Sequence, residues 1–154
     1  MTMAIAARVA AQVGKRYPPV LYTVGREKIR EYAEAVGETN PLYLDYEAAR
    51  AAGFADLPAP PMFVVVYAGR ALSAGLFDPE LEIDFSMLVH SSQEFRWPGP
   101  VVVAGDEITT ELSVGSISER AGLGFYAFES ESVNQRGETV SSGVWTNIVR
   151  GASS

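Results

Sequence analysis

The sequence predicts one α+β domain in which an antiparallel sheet wraps around a long central α-helix. Three observations carry that expectation. Apolar residues recur with helical spacing in the first half of the chain and with period two in the second. A third is size: 154 residues suit one core, and no internal repeat, low-complexity tract or interdomain linker interrupts them, so residues 1–154 are read as a single domain.

The elements follow in order. Met1 to Val13 lacks the basic start and continuous apolar stretch of a signal peptide, and reads as a short amphipathic helix or a tag-like end. Val20 to Val24 is a short strand. Ile29, Tyr32, Ala33 and Val36 fall at i, i+3, i+4 and i+7, which predicts an amphipathic helix stopped by Gly37. Asp45 then caps a short helix over Tyr46–Ala52, with Gly53 just beyond. Leu57-Pro58-Ala59-Pro60-Pro61 cannot be helical before its last proline, which suits a first helical position. From Met62 to Leu76 nearly every residue is apolar or small, predicting a helix buried on almost every face. Period two takes over in Ile108, Thr110, Leu112 and Val114, and again in Val140, Ser142, Val144, Thr146 and Ile148. Ser91–Trp97 and Leu123–Val133 complete four strands of an antiparallel meander, with turns at Gly99-Pro100, Ala121-Gly122 and Arg136-Gly137.

Composition excludes several kinds of chemistry. There is no cysteine, so disulfides, thiolate zinc sites and a cysteine nucleophile are ruled out. The single histidine, His90, cannot build a His-cluster metal site, and neither metal nor cofactor is expected. A net charge of −7 disfavours nucleic acid as a partner. The longest apolar run, Phe63 to Ala68, is far too short to span a bilayer, and the expected location is cytoplasmic. Residues 1–77 carry a net +1 and residues 78–154 a net −8. An acidic carrier or phosphorylated ligand would therefore approach near Lys15, Arg16, Arg26, Lys28 and Arg30. A solvated helix face is the plainer reading of those cations.

Three segments carry a family resemblance. Glu38-Thr39-Asn40-Pro41-Leu42-Tyr43-Leu44-Asp45, followed by Ala48-Ala49 and Gly53, resembles the hydratase motif Asp-x-Asn-Pro-x-His-x-Asp with its trailing alanine and glycine. Leu57-Pro58-Ala59-Pro60-Pro61-Met62-Phe63 resembles an Ala-Pro-x-x-Phe lead-in to a central helix. Val89-His90-Ser91-Ser92-Gln93-Glu94-Phe95, then Pro98 and Ala104-Gly105-Asp106, resembles a first long strand and the Val-Gly-Asp turn after it. Together these identify the chain, from about Tyr22 to Arg150, as similar to the N-terminal type of MaoC-like dehydratases and hydratases. Within that family it looks most like the non-catalytic A-type subunit of heterodimeric (3R)-hydroxyacyl-carrier-protein dehydratases of fatty-acid elongation. The resemblance implies a hotdog fold, an acyl-CoA or acyl-carrier-protein thioester as ligand, and a homologous hotdog subunit as dimer partner.

One departure decides what is expected of the chemistry. The family motif uses an aspartate and a histidine, five positions apart, to hold and activate one water. Removing water from a 3-hydroxyacyl thioester needs a base for the C2 proton and an acid for the leaving hydroxyl, which a near-neutral histidine and a carboxylate supply. Here the two positions are Glu38 and Tyr43. A phenol, ordinarily titrating near 10, is a poor base at pH 7, and glutamate is one methylene longer than aspartate. Pro61-Met62-Phe63-Val64 also replaces the His-Gly turn that lets backbone N–H groups reach the thioester oxygen.

Each candidate has a plain structural reading beside the functional one. Asn40-Pro41 holds a turn whatever the chemistry, Tyr43 reads as a packed aromatic, Glu38 as an exposed carboxylate, and His90 as a strand or interface residue. Pro60, Met62, Phe63, Val66 and Tyr67 are candidates for an acyl-chain lining, with core packing as the alternative. The expected function is an acyl-binding subunit of a dehydratase whose partner supplies the catalytic Asp and His. The rivals are an active homodimeric hydratase using Glu38 and Tyr43 with His90, a thioesterase activating water through Glu38 or Glu47, and an acyl-CoA binding protein without turnover.

Overall fold

The computed structural model describes residues 5–151. In chain order these form α1 (Ala7–Ala10), β1 (Val20–Thr23), α2 (Arg26–Ala35), α3 (Tyr46–Ala51), α4 (Val64–Tyr67), α5 (Gly69–Leu76), β2 (Leu88–Arg96), β3 (Glu107–Arg120), β4 (Leu123–Val133) and β5 (Thr139–Arg150), with short 3-10 turns at Pro41–Tyr43, Pro61–Phe63, Pro79–Leu81 and Phe85–Met87. The architecture is the expected α+β pair, one antiparallel sheet with a central helix lying on it.

The expectation of a four-strand meander needs correcting. The sheet order is β1-β3-β4-β5-β2, so only β3, β4 and β5 follow one another as hairpins. Strand β2 skips to β5, pairing Gln93 with Trp145 and Phe95 with Gly143. Strand β1 takes the place beside β3, pairing Val20 with Thr110 and Tyr22 with Ile108. Gly99-Pro100 is therefore no hairpin turn. The segment from Trp97 to Asp106 crosses over, and its far end ladders with the lead-in to the central helix. Ala59 N–H donates to Val102 O at 2.8 Å, and Ala104 N–H donates to Leu57 O at 2.9 Å. The consequence is an open edge along β2.

Strand register puts the buried residues on one face. Thr110, Leu112 and Val114 of β3 align with Ser132, Ser130 and Phe128 of β4, and these with Ser141, Gly143 and Trp145 of β5. Most polar members of that face are paired, as burial requires, and Asn147 Nδ2 on β5 is a buried donor left without a partner. Thr110 bonds Ser132 at 2.8 Å, Trp145 Nε1 donates to Ser130 Oγ at 2.9 Å, and Tyr67 donates to Ser141 Oγ at 2.9 Å. Bulges at His90/Ser92 and Val114/Ser116 bend β2 and β3.

The central helix also differs from its expectation. It opens as the Pro61–Phe63 turn, runs through α4, tightens at Ala68 and continues as α5. At Ala68 the carbonyl accepts from Ala71 at 3.0 Å and from Leu72 at 3.4 Å, a local i→i+3 pinch. The helix is buried along one stripe only: Phe63, Val64, Tyr67, Ala68, Ala71, Leu72 and Gly75. Met62, Arg70, Ser73 and Ala74 on the opposite face are exposed, because one sheet covers one side. Val36 likewise fails to join its helix face: α2 ends at Ala35 and Val36 is 59% exposed, followed by Gly37 at φ +73. At the N-terminus, α1 buries Val9 and Arg8 pairs with Glu82; residues 1–4 of the expected helix or tag lie outside the described residues.

Candidate active site

Residues 37–45 form a loop built from side chains capping their own backbone. Gly37 takes the left-handed conformation that ends α2, and Glu38 N–H returns to Ala33 O at 2.8 Å. The Glu38 carboxylate accepts from Thr39 N at 2.9 Å and from Asn40 N at 2.8 Å through one oxygen. Asn40 Oδ1 accepts from Leu42 N at 3.1 Å and caps the Pro41–Tyr43 turn. Asp45 accepts from Ala48 N at 2.8 Å and caps α3. Arg30 on α2 ties the loop down by donating to Leu44 O at 3.1 Å. Glu38 therefore serves its own turn, as an Asx-type cap does.

The candidate acid–base residues are not assembled by direct contact. Tyr43 is half-buried in the turn, and among the described residues no hydrogen bond joins it to Glu38 or His90. His90 stands exposed on β2, with Nδ1 3.4 Å from Asn147 Oδ1 and its ring 6.5 Å from that of Trp145. Glu47 is exposed on α3. No group of three or more metal-ligating side chains occurs among the described residues.

The lead-in to the central helix is rigid and short of donors. Pro60 and Pro61 have no N–H, and Phe63 N–H is already bonded to Pro60 O at 2.8 Å. Phe63 is fully buried at the centre of an aromatic group, with Tyr32, Tyr67 and Tyr22 at 5.5, 6.3 and 6.4 Å between centroids. Tyr67 is buried as well, and burial pushes its phenol up to about 12, so it remains a hydrogen-bond donor at neutral pH. Met62 is 39% exposed on the open side of the helix, whereas Val66 is half-buried and packs against the core.

Pro60 and Tyr67 help to line a cavity of about 410 Å³ whose other walls are Ala59, Pro61, Trp97, Gly99, Pro100, Val101, Val102 and Val140. Sequence reasoning gathered only the helix side of this chamber. The opposite wall comes from the crossover after β2 and the start of β5, which the meander expectation kept apart. The available signal was apolar Trp97 and Val101 flanking a Pro-Gly-Pro stretch. A second cavity, about 380 Å³, lies on the outer face of the sheet and is charged, lined by Arg16, Glu94, Arg96, Glu111, Glu129 and Glu131 among others. The basic surface expected near the N-terminal half is largely neutralised. Lys15 pairs with Asp78 and Glu80, Arg16 with Glu111, Arg26 with Asp56, Lys28 with Glu31 and Arg30 with Glu27. Among the described residues no helix is long and apolar enough to cross a membrane.

Comparison with known proteins bears on this geometry. A family profile described as "FAS1-like, dehydratase domain region" matches residues 11–142. A "UPF0336 protein" of Saccharopolyspora erythraea is 44% identical over 140 residues, 90% of this chain and 89% of that protein. One from Streptomyces avermitilis is 43% identical over 141 residues, covering 91% and 93%. Among solved structures, the C-terminally truncated HadBC (3R-hydroxyacyl-ACP dehydratase) complex from Mycobacterium tuberculosis superposes with a TM-score of 0.75 at 29% identity, over 89% of this chain and 96% of that one. A "MaoC-like dehydratase" gives a TM-score of 0.82 at 27% identity, matching 94% of this chain but 44% of the other. The sheet-on-helix arrangement is thus the hotdog fold of the MaoC-like dehydratases, and the chain belongs to the FAS1-like dehydratase-region family.

Proposed function

We propose that this chain is the acyl-thioester-binding subunit of a (3R)-hydroxyacyl-thioester dehydratase, pairing with a homologous hotdog chain that carries the catalytic Asp and His. The observation that carries the reading is the loop at residues 38–43. Glu38 caps the N–H groups of Thr39 and Asn40, and Tyr43 occupies the position where a near-neutral base is needed. The double proline at the helix lead-in removes two N–H groups from the place where an oxyanion would be met.

The reaction breaks the C2–H and C3–O bonds of a 3-hydroxyacyl thioester, forms the C2=C3 bond and releases water. A base must take the C2 proton and an acid must deliver one to the departing hydroxyl. In this reading both groups come from the partner, and Asn40 orders the loop against which the thioester is held. The open edge of β2 supports pairing. An unpaired strand edge invites another strand, and this one is bordered by exposed Phe85, Met87 and Val89 at one end and Trp97 and Val101 at the other.

The test is hydration of crotonyl-CoA by the purified chain, alone and with a hotdog chain bearing an intact Asp-x-Asn-Pro-x-His motif. General acid–base assistance contributes about a hundred- to ten-thousandfold, so the chain alone should give no signal above background and the pair should turn over. A kcat for the lone chain near the roughly 1–10³ s⁻¹ of ordinary enzymes, falling sharply in Tyr43→Phe, would overturn the reading.

A further inference from the structure

Among the described residues, the one buried side-chain polar atom without a hydrogen-bond partner is Asn147 Nδ2 on β5. Asn147 is 1% exposed, and its amide meets His90 across the strand pair, with Oδ1 3.4 Å from His90 Nδ1. The two ends of an amide have nearly the same shape, so only hydrogen bonding decides which of them faces the ring. Turned through half a rotation, Nδ2 donates to the Nδ1 lone pair and the carbonyl is left over instead. Among buried peptide groups an unmet carbonyl is tolerated better than an unmet N–H, and the same chemistry applies to this amide. In that arrangement His90 must carry its proton on Nε2, because the bond made by one ring nitrogen fixes the state of the other. The ring is exposed on the open β2 edge, so its Nε2–H is a donor offered to whatever chain pairs there.

The bulge in β2 decides which chain fits. Before it, Leu88 and His90 lie on the helix-covered face, opposite Val149 and Asn147; past it, Gln93 and Phe95 do, opposite Trp145 and Gly143, and the Phe95 ring meets that of Trp145 at 4.9 Å. The inward positions therefore change from even to odd across Ser91. An antiparallel copy of β2 keeps its inward residues inward only if even positions meet odd ones, since a one-residue slip turns every side chain over. A twofold axis between Ser91 and Ser92 meets this condition. It sets Leu88 against Phe95 and His90 against Gln93 of the second copy, so apolar meets apolar and the Nε2–H meets an amide oxygen, twice in each pair. Moving the axis by one residue puts His90 against Ser91 or Phe95 and loses that match. We infer that β2 pairs with a second copy of this chain in this register, with Asn147 holding His90 as a donor and Gln93 of the second copy accepting from it. This rests on the pairing half of the reading above and adds the contact that selects the register.

The experiment measures the dimer dissociation constant of the full chain by analytical ultracentrifugation at pH 8, above the ordinary imidazole range. Gln93→Glu leaves only acceptors at the end of that side chain, and Gln93→Lys leaves only donors. Facing a donor on His90, Gln93→Glu should pair within about threefold of the wild type and Gln93→Lys at least about tenfold more weakly, because two bonds are lost in each dimer. The net charge of −7 pushes the other way, since added glutamates repel and added lysines attract, so bulk electrostatics does not imitate this result. In a His90→Phe background the preference for glutamate should disappear. Circular dichroism spectra matching the wild type certify the fold of each variant. The inference is overturned if Gln93→Lys pairs as tightly as Gln93→Glu, if the preference survives His90→Phe, or if the wild type stays monomeric. Its failure is separable from that of the dehydratase reading. A dimer with the expected preference but no hydration in any pairing removes the dehydratase and keeps the contact, whereas hydration beside an Asp- and His-bearing chain without that preference does the reverse.

Discussion

Gly75→Ala sets two effects of opposite sign against each other at the point where the central helix crosses the sheet. Alanine is favoured over glycine in a helix interior by about 1 kcal/mol, so propensity alone predicts a gain. The structure predicts a loss. A Cβ at Gly75 would lie 2.3 Å from Phe128 Cε1 and 2.8 Å from Cδ1, against about 3.5–4.0 Å for an unstrained carbon contact. The ring cannot swing away: Phe128 is 0% exposed, with Val114 and Trp145 opposite it on β3 and β5. The helix or the strand must then move by more than 1 Å. Overpacking of this kind costs about 1–3 kcal/mol, and a closed site belongs at the upper end. The net expectation is a destabilisation of about 2 kcal/mol, which for a chain of this size lowers the melting temperature by about 4–8 °C. Circular dichroism melts of wild type and Gly75→Ala measure it. Repeating the substitution in a Phe128→Leu background removes the clash, and there Gly75→Ala should stabilise. A higher melting temperature for Gly75→Ala alone, or no relief in the Phe128→Leu background, would refute the packing argument.

Three further outcomes are expected. Burial raises the phenols of both Tyr17 and Tyr67, with the Asp78 carboxylate adding to the effect at Tyr17, and Tyr67 reaches about 12. A raised folded pKa contributes stability that is complete below the unfolded value near 10 and lost above it; urea midpoints should hold steady from pH 8 to about 9.5 and fall beyond 10, and a flat profile to pH 11 would contradict this. Ala121, at φ +52 in the β3–β4 hairpin turn ahead of Gly122, sits where asparagine is preferred; Ala121→Asn should add about 0.5–1 kcal/mol in denaturant titrations, and no gain would count against a strained turn. The open β2 edge predicts a dimer or larger assembly by light scattering at micromolar concentration, with Val89→Glu shifting it toward monomer; a monomeric wild type would remove the pairing argument.

Much of the fold could be read from local signals. Asp45 caps its helix as expected, Gly37 closes α2 from the left-handed region, and the period-two runs mark β3 and β5. What failed was non-local. Nothing in Gly99-Pro100 distinguishes a hairpin from a crossover, because the difference lies in the ladder between Leu57–Ala59 and Val102–Ala104, some 45 residues apart in sequence. The central helix looked buried all round because its open face is also apolar and small. Pattern alone reports what a surface is made of, not whether this chain covers it. The same limit applies to the site. Glu38 and Tyr43 could be placed on one loop from a motif, but that the Glu38 carboxylate is taken up by the N–H groups of Thr39 and Asn40 needed coordinates.

The position of His90 has a practical consequence. It is the only histidine in the chain, and it stands exposed on β2 beside the register shift at Ser92. A labelled sample therefore contains one imidazole, whose carbon-bound protons resonate apart from the crowded aliphatic region of the spectrum. Any molecule that zips onto this edge changes the surroundings of that ring. Two identical copies related by a twofold axis would keep a single set of signals, a different chain would move the set to new frequencies, and slow exchange between free and bound forms would show both at once. The lone ring is thus a built-in nuclear magnetic resonance probe of which strand, if any, completes the sheet.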